Sequence, residues 1–513
     1  VPAGEPLRVP PRGANVRKGP SVTRTRPWLA LLFALVALIG SSLTFAGQPA
    51  TAAAGRAYTN PVKSQKGADP WLEYYNGNYY LVTTSWSSEI TMRKSPTLAG
   101  LATAPSVQIF KDTNPNRCCN IWAPEIHLLN GKWYLYYVAG QGIADYNSTQ
   151  RMHVAESAGT DPMGPYTFKN DLGAPGNDTW LIDGSVLKVG SALYLLGSAF
   201  SGGTQNLVIA PMSNPYTVSG ALSVISTPTY SWEKSGAAVN EGPEPLYHDG
   251  KTFIVYSGSY CTTPDYKLGQ LELTGSNPLL ASSWTKRSTP VFQRNDAAGV
   301  YGPGHNGFFK SPDGTEDWIV YHANNSASGG CDNNRTTRAQ KFTWNADGTP
   351  NFGVPVGAGV TLSGPSGETA ATPTSYSLVN RNSGKCLDLV DGSSADGANV
   401  RQFTCNGAAA QKWRVEDQAD DTSRLVNVAS GKVLDLADCS GADGADLRQW
   451  SWLNNSCQRF RLVISDSGGW VRLVNASSGK VADVANCGTA DGADVRQWTW
   501  LNNACQQWQL TAN

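Results

Sequence analysis

The sequence predicts an all-β chain in which a five-bladed β-propeller is followed by a smaller β domain built from three repeats. Three observations carry that prediction. The composition, 53 Gly, 30 Pro, 17 Trp and 20 Tyr against 4 Met in 513 residues, suits short strands joined by tight turns and disfavours long helices and disorder. One segment pattern recurs five times with anchors 56 to 64 residues apart, and a shorter one recurs three times at 47 and 48 residues. The charge balance, 40 Lys+Arg against 40 Asp+Glu with 16% charged residues, leaves no electrostatic footprint for nucleic acid.

Taken from the N-terminus, the only long apolar run is Trp28–Gly40, preceded by Arg17, Lys18, Arg24 and Arg26 and followed by small residues ending at Thr51–Gly55. About 13 apolar residues fall short of the roughly 20 that cross a bilayer, so residues 1–54 read as a signal peptide and leader. The even count of ten cysteines agrees with export to an oxidising compartment. A secreted, extracellular protein is expected, with no membrane contact once the signal is removed.

Residues 55–362 hold the five units. Each has a polar anchor, a hydrophobic stretch, a turn dipeptide and an aromatic, β-branched strand: DPWLEYYNGNYYLVTTS from Asp69, EIHLLNGKWYLYYVAG from Glu125, DGSVLKVGSALYLLGSAF from Asp183, EGPEPLYHDGKTFIVYSGS from Glu241 and HNGFFKSPDGTEDWIVYHA from His305. The dipeptides Asn76-Gly77, Asn130-Gly131, Gly190-Ser191, Asp249-Gly250 and Asp313-Gly314 are those that two-residue hairpins and bulged turns favour. In a radial array the first strand of each blade lines a central channel, so the five anchors are expected to converge.

Inverting hydrolysis of a glycosidic bond needs a carboxylate to activate water and a protonated carboxyl to donate to the leaving oxygen, about 6.5–9.5 Å apart. Three anchors supply such groups: Asp69 in GADPW, Asp183 in LIDGSV and Glu241 in VNEGPEP. With these in place, a region of about 300 residues resembles glycoside hydrolase family 43. The resemblance implies Asp69 as general base, Glu241 of the Glu-Gly-Pro motif as general acid, and Asp183 as the group that orients the acid and tunes its pKa. A nearby negative charge raises a carboxyl's pKa, which fits that last role. Glu244, three residues on, is the rival acid. In the family an equivalent of His305 binds water around a central ion, often calcium. His305 is therefore implied to support the site, any metal to be structural, and no cofactor to be required; the calcium-loop pattern DxDxDG is absent. The strings WAPEIH (Trp122–His127), DPMGPY (Asp161–Tyr166), GPGHNGFFKSPDG from Gly302 and RTTRAQKFTWNADGTPNFG from Arg335 look like the branch that contains α-L-arabinofuranosidases, including exo-acting enzymes on 1,5-arabinan. Trp71, Trp86 and Trp122 are candidate stacking walls, though each also fits a core position, and Arg338 is a candidate hydroxyl contact.

Residues 363–375, SGPSGETAATPTS, have linker composition. Beyond them, in 376–513, LVNRNSGKCLDL from Leu378, LVNVASGKVLDL from Leu425 and LVNASSGKVADV from Leu473 each continue through an ADGA turn into an aromatic strand. The copies close with Gln411-Lys412-Trp413, Gln458-Arg459-Phe460 and Gln506-Gln507-Trp508. This QxW pattern resembles the ricin B-type β-trefoil lectin, carbohydrate-binding module family 13. The resemblance implies sugar contacts from Asp388, Asp435 and Asp483 and platforms from Phe403, Trp450 and Trp498. Arg401, Arg448 and Arg496 stand where Gln is frequent, which sets galactose specificity aside. Equal offsets pair Cys439 with Cys457 and Cys487 with Cys505, and Cys386 with Cys405 by analogy; Cys118, Cys119, Cys261 and Cys331 form either two ordinary bridges or a vicinal bond plus Cys261–Cys331.

The leading reading is a secreted, monomeric, inverting α-L-arabinofuranosidase acting on arabinan or another arabinose-containing plant polysaccharide. An endo-arabinanase or β-xylosidase, or a catalytically silent two-module lectin, are the alternatives. If residues 376–513 only hold the enzyme on its polymer, removal after about Pro365 is expected to leave activity on small aryl arabinofuranosides within roughly twofold.

Overall fold

The computed structural model describes residues 55–176 and 178–513; the expected signal peptide lies outside the described residues. The described chain is all β, with 35 strands and only short 3-10 helices between them. Its first part is propeller-like. Four antiparallel sheets of four or five strands stand as separate sheets, with first strands Cys119–Leu129, Val186–Val189, Asn240–His248 and Tyr301–Lys310. A further four strands in the same up-and-down order, Trp71–Tyr75, Asn78–Val82, Glu89–Ser95 and Val107–Lys111, merge into a larger sheet with strands of the second part.

The turn dipeptides act largely as their residue types predict. Asn76-Gly77 lies between the paired residues Tyr75 and Asn78, with φ of 46° and 78°, the doubly left-handed geometry that Asn-Gly adopts at little cost. Asp313-Gly314 differs: it sits in a six-residue loop between Lys310 and Asp317, because Asp313 Oδ1 takes up Ser311, Thr315 and Ser366 and holds a wider turn. On the inner strands, register shifts between Trp122 and Glu125, between Glu241 and Glu244, and between Gly304 and Gly307 re-aim side chains toward the channel, a common use of bulges beside sites.

The second part is the trefoil. Its three copies bury Trp413, Phe460 and Trp508 completely, together with Gln411, Gln458 and Gln506, whose amides donate to Thr404, Ser451 and Thr499 carbonyls. Each copy's ADGA aspartate locks onto the next copy: Asp396 on Ser451 and Lys432, Asp443 on Thr499 and Lys480, and Asp491 on Thr404 and Lys385. The bridges are Cys386–Cys405, Cys439–Cys457 and Cys487–Cys505 here, with the vicinal Cys118–Cys119 and Cys261–Cys331 in the first part.

The segment of linker composition is bonded to the first part along its length. Glu368 Oε1 accepts the Leu98 N–H at 2.8 Å, Ser366 Oγ donates to Asp313 at 2.7 Å, and Thr372 and Thr97 hydroxyls meet at 3.1 Å. These small polar residues bond the loops that follow Ser95 and Lys310, on two different sheets. Beyond them Val107 and Leu462 pair in parallel across the two parts, and Asp417 accepts from Arg93 at 2.8 Å and from Ser106 Oγ at 2.5 Å. One apolar core runs from Tyr80, Ile109 and Trp133 to Tyr376, Trp413 and Leu462.

Candidate active site

Asp69, Asp183 and His305 each sit at left-handed backbone, φ of 51°, 56° and 44°, where non-glycine residues are uncommon. Such conformations persist where the surroundings over-determine them, often at sites. Together with Glu241 they line one pocket of about 390 Å³, within the size range of small-molecule sites.

Asp69 is the most heavily bonded of the three acids. Its Oδ2 accepts from Thr84 Oγ1 at 2.6 Å and its Oδ1 from Arg335 Nη1 at 2.9 Å, with His305 Nδ1 3.4 Å away. Burial alone would raise this carboxyl, but Arg335 and His305 outweigh it and hold it well below the usual carboxylate range. His322 Nδ1 accepts the Asp69 backbone N–H at 3.1 Å, so that nitrogen is unprotonated; burial and Arg335 take the ring down to about 4.

The other two acids are displaced in the opposite direction. Asp183 is pushed up to about 7, chiefly by burial, with Glu241 and Asp69 adding to the rise against His305. Glu241 is also raised by burial, against Tyr266 Oη donating to Oε1 at 2.9 Å and Gln205 Nε2 donating to Oε2 at 2.7 Å. Burial would lower His305, but the three surrounding carboxyls raise it. Gly242, at φ 54°, lets the His305 ring come close: an added Cβ would lie 3.2 Å from it.

Glu244, the rival acid, is not in the pocket wall. It is buried where Ser185 Oγ donates to its Oε2 at 3.2 Å, and burial with neighbouring Glu125 pushes it well above the usual range. Trp86 and Trp122 form part of the wall, edge to face at 5.2 Å. Trp71 does not; its ring packs on His127 at 4.5 Å, the core alternative. Arg338 is also misplaced by the sequence reading, being fully buried with its guanidinium bonded to Val356 O, Asn325 and Thr336. Arg335, three residues earlier and just ahead of the strand Thr336–Trp344, occupies the pocket.

Sequence reasoning also missed Gln205, Tyr266, His322, Trp180 and Phe200, which carry no motif of their own. A larger polar cleft of about 810 Å³ includes Arg151, His153, Asp171 and Asp178 in its lining, but its acids are tied up, Asp171 by His153 at 2.7 Å and Asp178 by Arg151 at 2.6 Å.

In the trefoil, the three expected contact sets come together with an arginine added. Arg401, Arg448 and Arg496 donate to Asp388, Asp435 and Asp483 at 2.9, 3.1 and 3.4 Å, and their guanidinium groups lie 4.8, 4.4 and 4.3 Å over the rings of Phe403, Trp450 and Trp498. Each aspartate is thus already paired, and one face of each platform is covered.

Comparison with known proteins agrees with both parts. The family described as Glycosyl hydrolases family 43 matches residues 58–350, and the Ricin-type beta-trefoil lectin domain-like family matches 362–450 and 456–513. An extracellular exo-alpha-(1->5)-L-arabinofuranosidase of Streptomyces avermitilis is 42% identical over 348 residues, covering 66% of this chain and 71% of that protein. Alpha-L-arabinofuranosidase 43 of Humicola insolens is 32% identical over 371 residues, 70% of this chain and 72% of that one. The crystal structure of alpha-L-arabinofuranosidase from Lactobacillus brevis superposes with a TM-score of 0.55 at 35% identity, covering 59% of this chain and 98% of that one.

Proposed function

The chain belongs to glycosyl hydrolases family 43 and carries a ricin-type trefoil, and from that premise we propose that it releases terminal L-arabinofuranose from arabinan or other arabinose-containing plant polysaccharides with inversion at the anomeric carbon. One observation carries this reading: a single pocket holds one carboxyl pushed far down and two pushed up. Pairs of acids driven apart in this way mark the base and the acid. Asp69, held ionised, takes a proton from the attacking water as its oxygen bonds to the anomeric carbon. Glu241 gives its proton to the glycosidic oxygen as that bond breaks, and solvent then resets both groups. Asp183 orients the acid and shares its ionisation.

The pocket's aromatic wall of Trp86 and Trp122 supports binding of a terminal sugar. The reaction needs no cofactor. No step here passes through an ion beside His305. We further read the four-strand run from Trp71 as a fifth blade, the catalytic region as 55–362, the docked connector as 363–375 and the sugar-binding trefoil as 376–513 of a secreted monomer. Two of the relatives are described as extracellular, which supports secretion.

The experiment is product analysis on debranched arabinan, arabinoxylan and aryl glycosides, with the anomer of the first-formed sugar read by NMR. Arabinose released singly in the inverted form is the expected result. Longer arabino-oligosaccharides would indicate an endo-arabinanase, xylose a β-xylosidase, and no turnover a lectin.

A further inference from the structure

The hairpin joining strands Ala192–Ser201 and Thr204–Asn214 turns at Gly202-Gly203, and the ends of both strands line the pocket. It is fastened to the acid's strand at two points. Gln205 Nε2 donates to Glu241 Oε2 at 2.7 Å and to Ser198 Oγ at 3.0 Å, while Ser198 Oγ donates to Asn240 O at 2.7 Å. Phe200 lies directly opposite Gln205 in the antiparallel register. Directly opposed residues put their side chains on the same sheet face, so Phe200 is presented on the face from which Gln205 reaches Glu241.

The Phe200 ring is 58% exposed. Its neighbour is Trp180, centroids 4.6 Å apart, and the Trp180 indole N–H is pinned to Asn147 O at 2.7 Å. An aromatic residue left this open contributes little to the core, yet it is buttressed by a fixed indole at the mouth of the pocket. In the reaction proposed above, the proton of Glu241 goes to the leaving oxygen. The departing part of the substrate must therefore lie on the side of Glu241, which is the side this hairpin occupies.

We propose that Phe200, backed by Trp180, is the platform on which the ring of the leaving sugar stacks, making it a specificity-determining residue for chain ends over small leaving groups. The proposal rests on the arabinofuranosidase reading. The C–H face of a sugar ring covers apolar aromatic surface, and that contact is made only by substrates whose leaving group carries a ring.

The test compares kcat/KM on α-1,5-linked arabinotriose with that on α-L-arabinofuranosyl fluoride, whose leaving group has no ring. The ratio of the two is expected to fall at least about tenfold in Phe200→Ala and in Phe200→Leu, which keeps bulk without a ring, and to return to within about threefold of wild type in Phe200→Tyr. Trp180→Ala should move it in the same direction. A ratio within twofold of wild type in both Phe200→Ala and Phe200→Leu overturns the platform while leaving the hydrolase reading intact. Wild-type protein that turns over neither substrate overturns that reading and the platform with it.

Discussion

Gly242 donates its backbone N–H to Asp183 Oδ2 at 3.0 Å, which fastens the Asp183 carboxyl to the residue that follows Glu241. Two carboxyls so coupled titrate as a pair: the first charge raises the pH at which the second proton leaves. Asp183→Asn keeps an acceptor for Gly242 and removes one charge. The remaining carboxyl then loses its proton at lower pH, so the basic limb of the kcat/KM profile should move to lower pH. A limb that stays where it is would remove Asp183 from the tuning role.

Asp69→Asn and Glu241→Gln should each lower turnover at least about 10²-fold with the thermal transition unchanged, the scale of positioned acid and base groups. Their responses to the leaving group should differ. Nitrophenolate departs without protonation, so it partly rescues Glu241→Gln and not Asp69→Asn. Equal rescue of both would reverse or sink the assignment.

Arg335→Gln takes from Asp69 the strongest influence holding it ionised. Burial then dominates, and the Asp69 carboxyl rises. A base must be ionised, so the acidic limb of the profile should move to higher pH, with activity at pH 5 falling about tenfold or more relative to wild type. Arg338→Gln serves as contrast: its guanidinium bonds Val356 O and Asn325 away from the pocket, so it should lower thermal stability without moving that limb. An acidic limb unmoved in Arg335→Gln would show that the charge is not what keeps Asp69 ionised.

The legible parts of this protein are those where a residue type meets a backbone requirement. Asn-Gly between two strands, Asp or Glu ahead of an apolar strand, and QxW at equal offsets each stand for one local geometry, so the hairpins, the three carboxyls and the trefoil could be read directly. Arg335 and Arg338 show the opposite case. Arg335 lies just ahead of the strand Thr336–Trp344 and Arg338 within it; one reaches the pocket and the other does not, and nothing in RTTR says which. Trp71 and Trp86 pose the same problem for aromatics. Gln205 and Phe200 belong to the site only because their hairpin reaches over from a neighbouring sheet, a long-range fact without local trace. The segment 363–375 is legible only as a connector, because small polar residues suit a free spacer and a docked strap equally well.

That strap leads to the last prediction. If the trefoil only anchored the enzyme, a chain ending after Pro365 would keep its small-substrate activity. In the structure, such a cut removes Glu368 from the Leu98 N–H, Asp417 from Arg93 and Ser106, Leu462 from its pairing with Val107, and the apolar partners of Tyr80 and Ile109. Each kcal/mol lost from a domain of about 300 residues lowers Tm by roughly 1.5 °C, and opening a shared core loses several kcal/mol. The truncated chain should therefore melt several degrees lower, and activity on aryl arabinofuranosides should fall with the folded fraction. Full-length Asp417→Ala separates structural loss from loss of anchoring: the half-buried Arg93 loses its charged partner, a change on the order of 1–3 kcal/mol, while the Asp–Arg–aromatic sets at Phe403, Trp450 and Trp498 stay whole. It should lower Tm while retention on arabinan or arabinoxylan in affinity electrophoresis is kept. A truncated chain that melts with the full protein and hydrolyses the small substrate within twofold would show the two parts to be independent, and the common core to contribute nothing to the catalytic region.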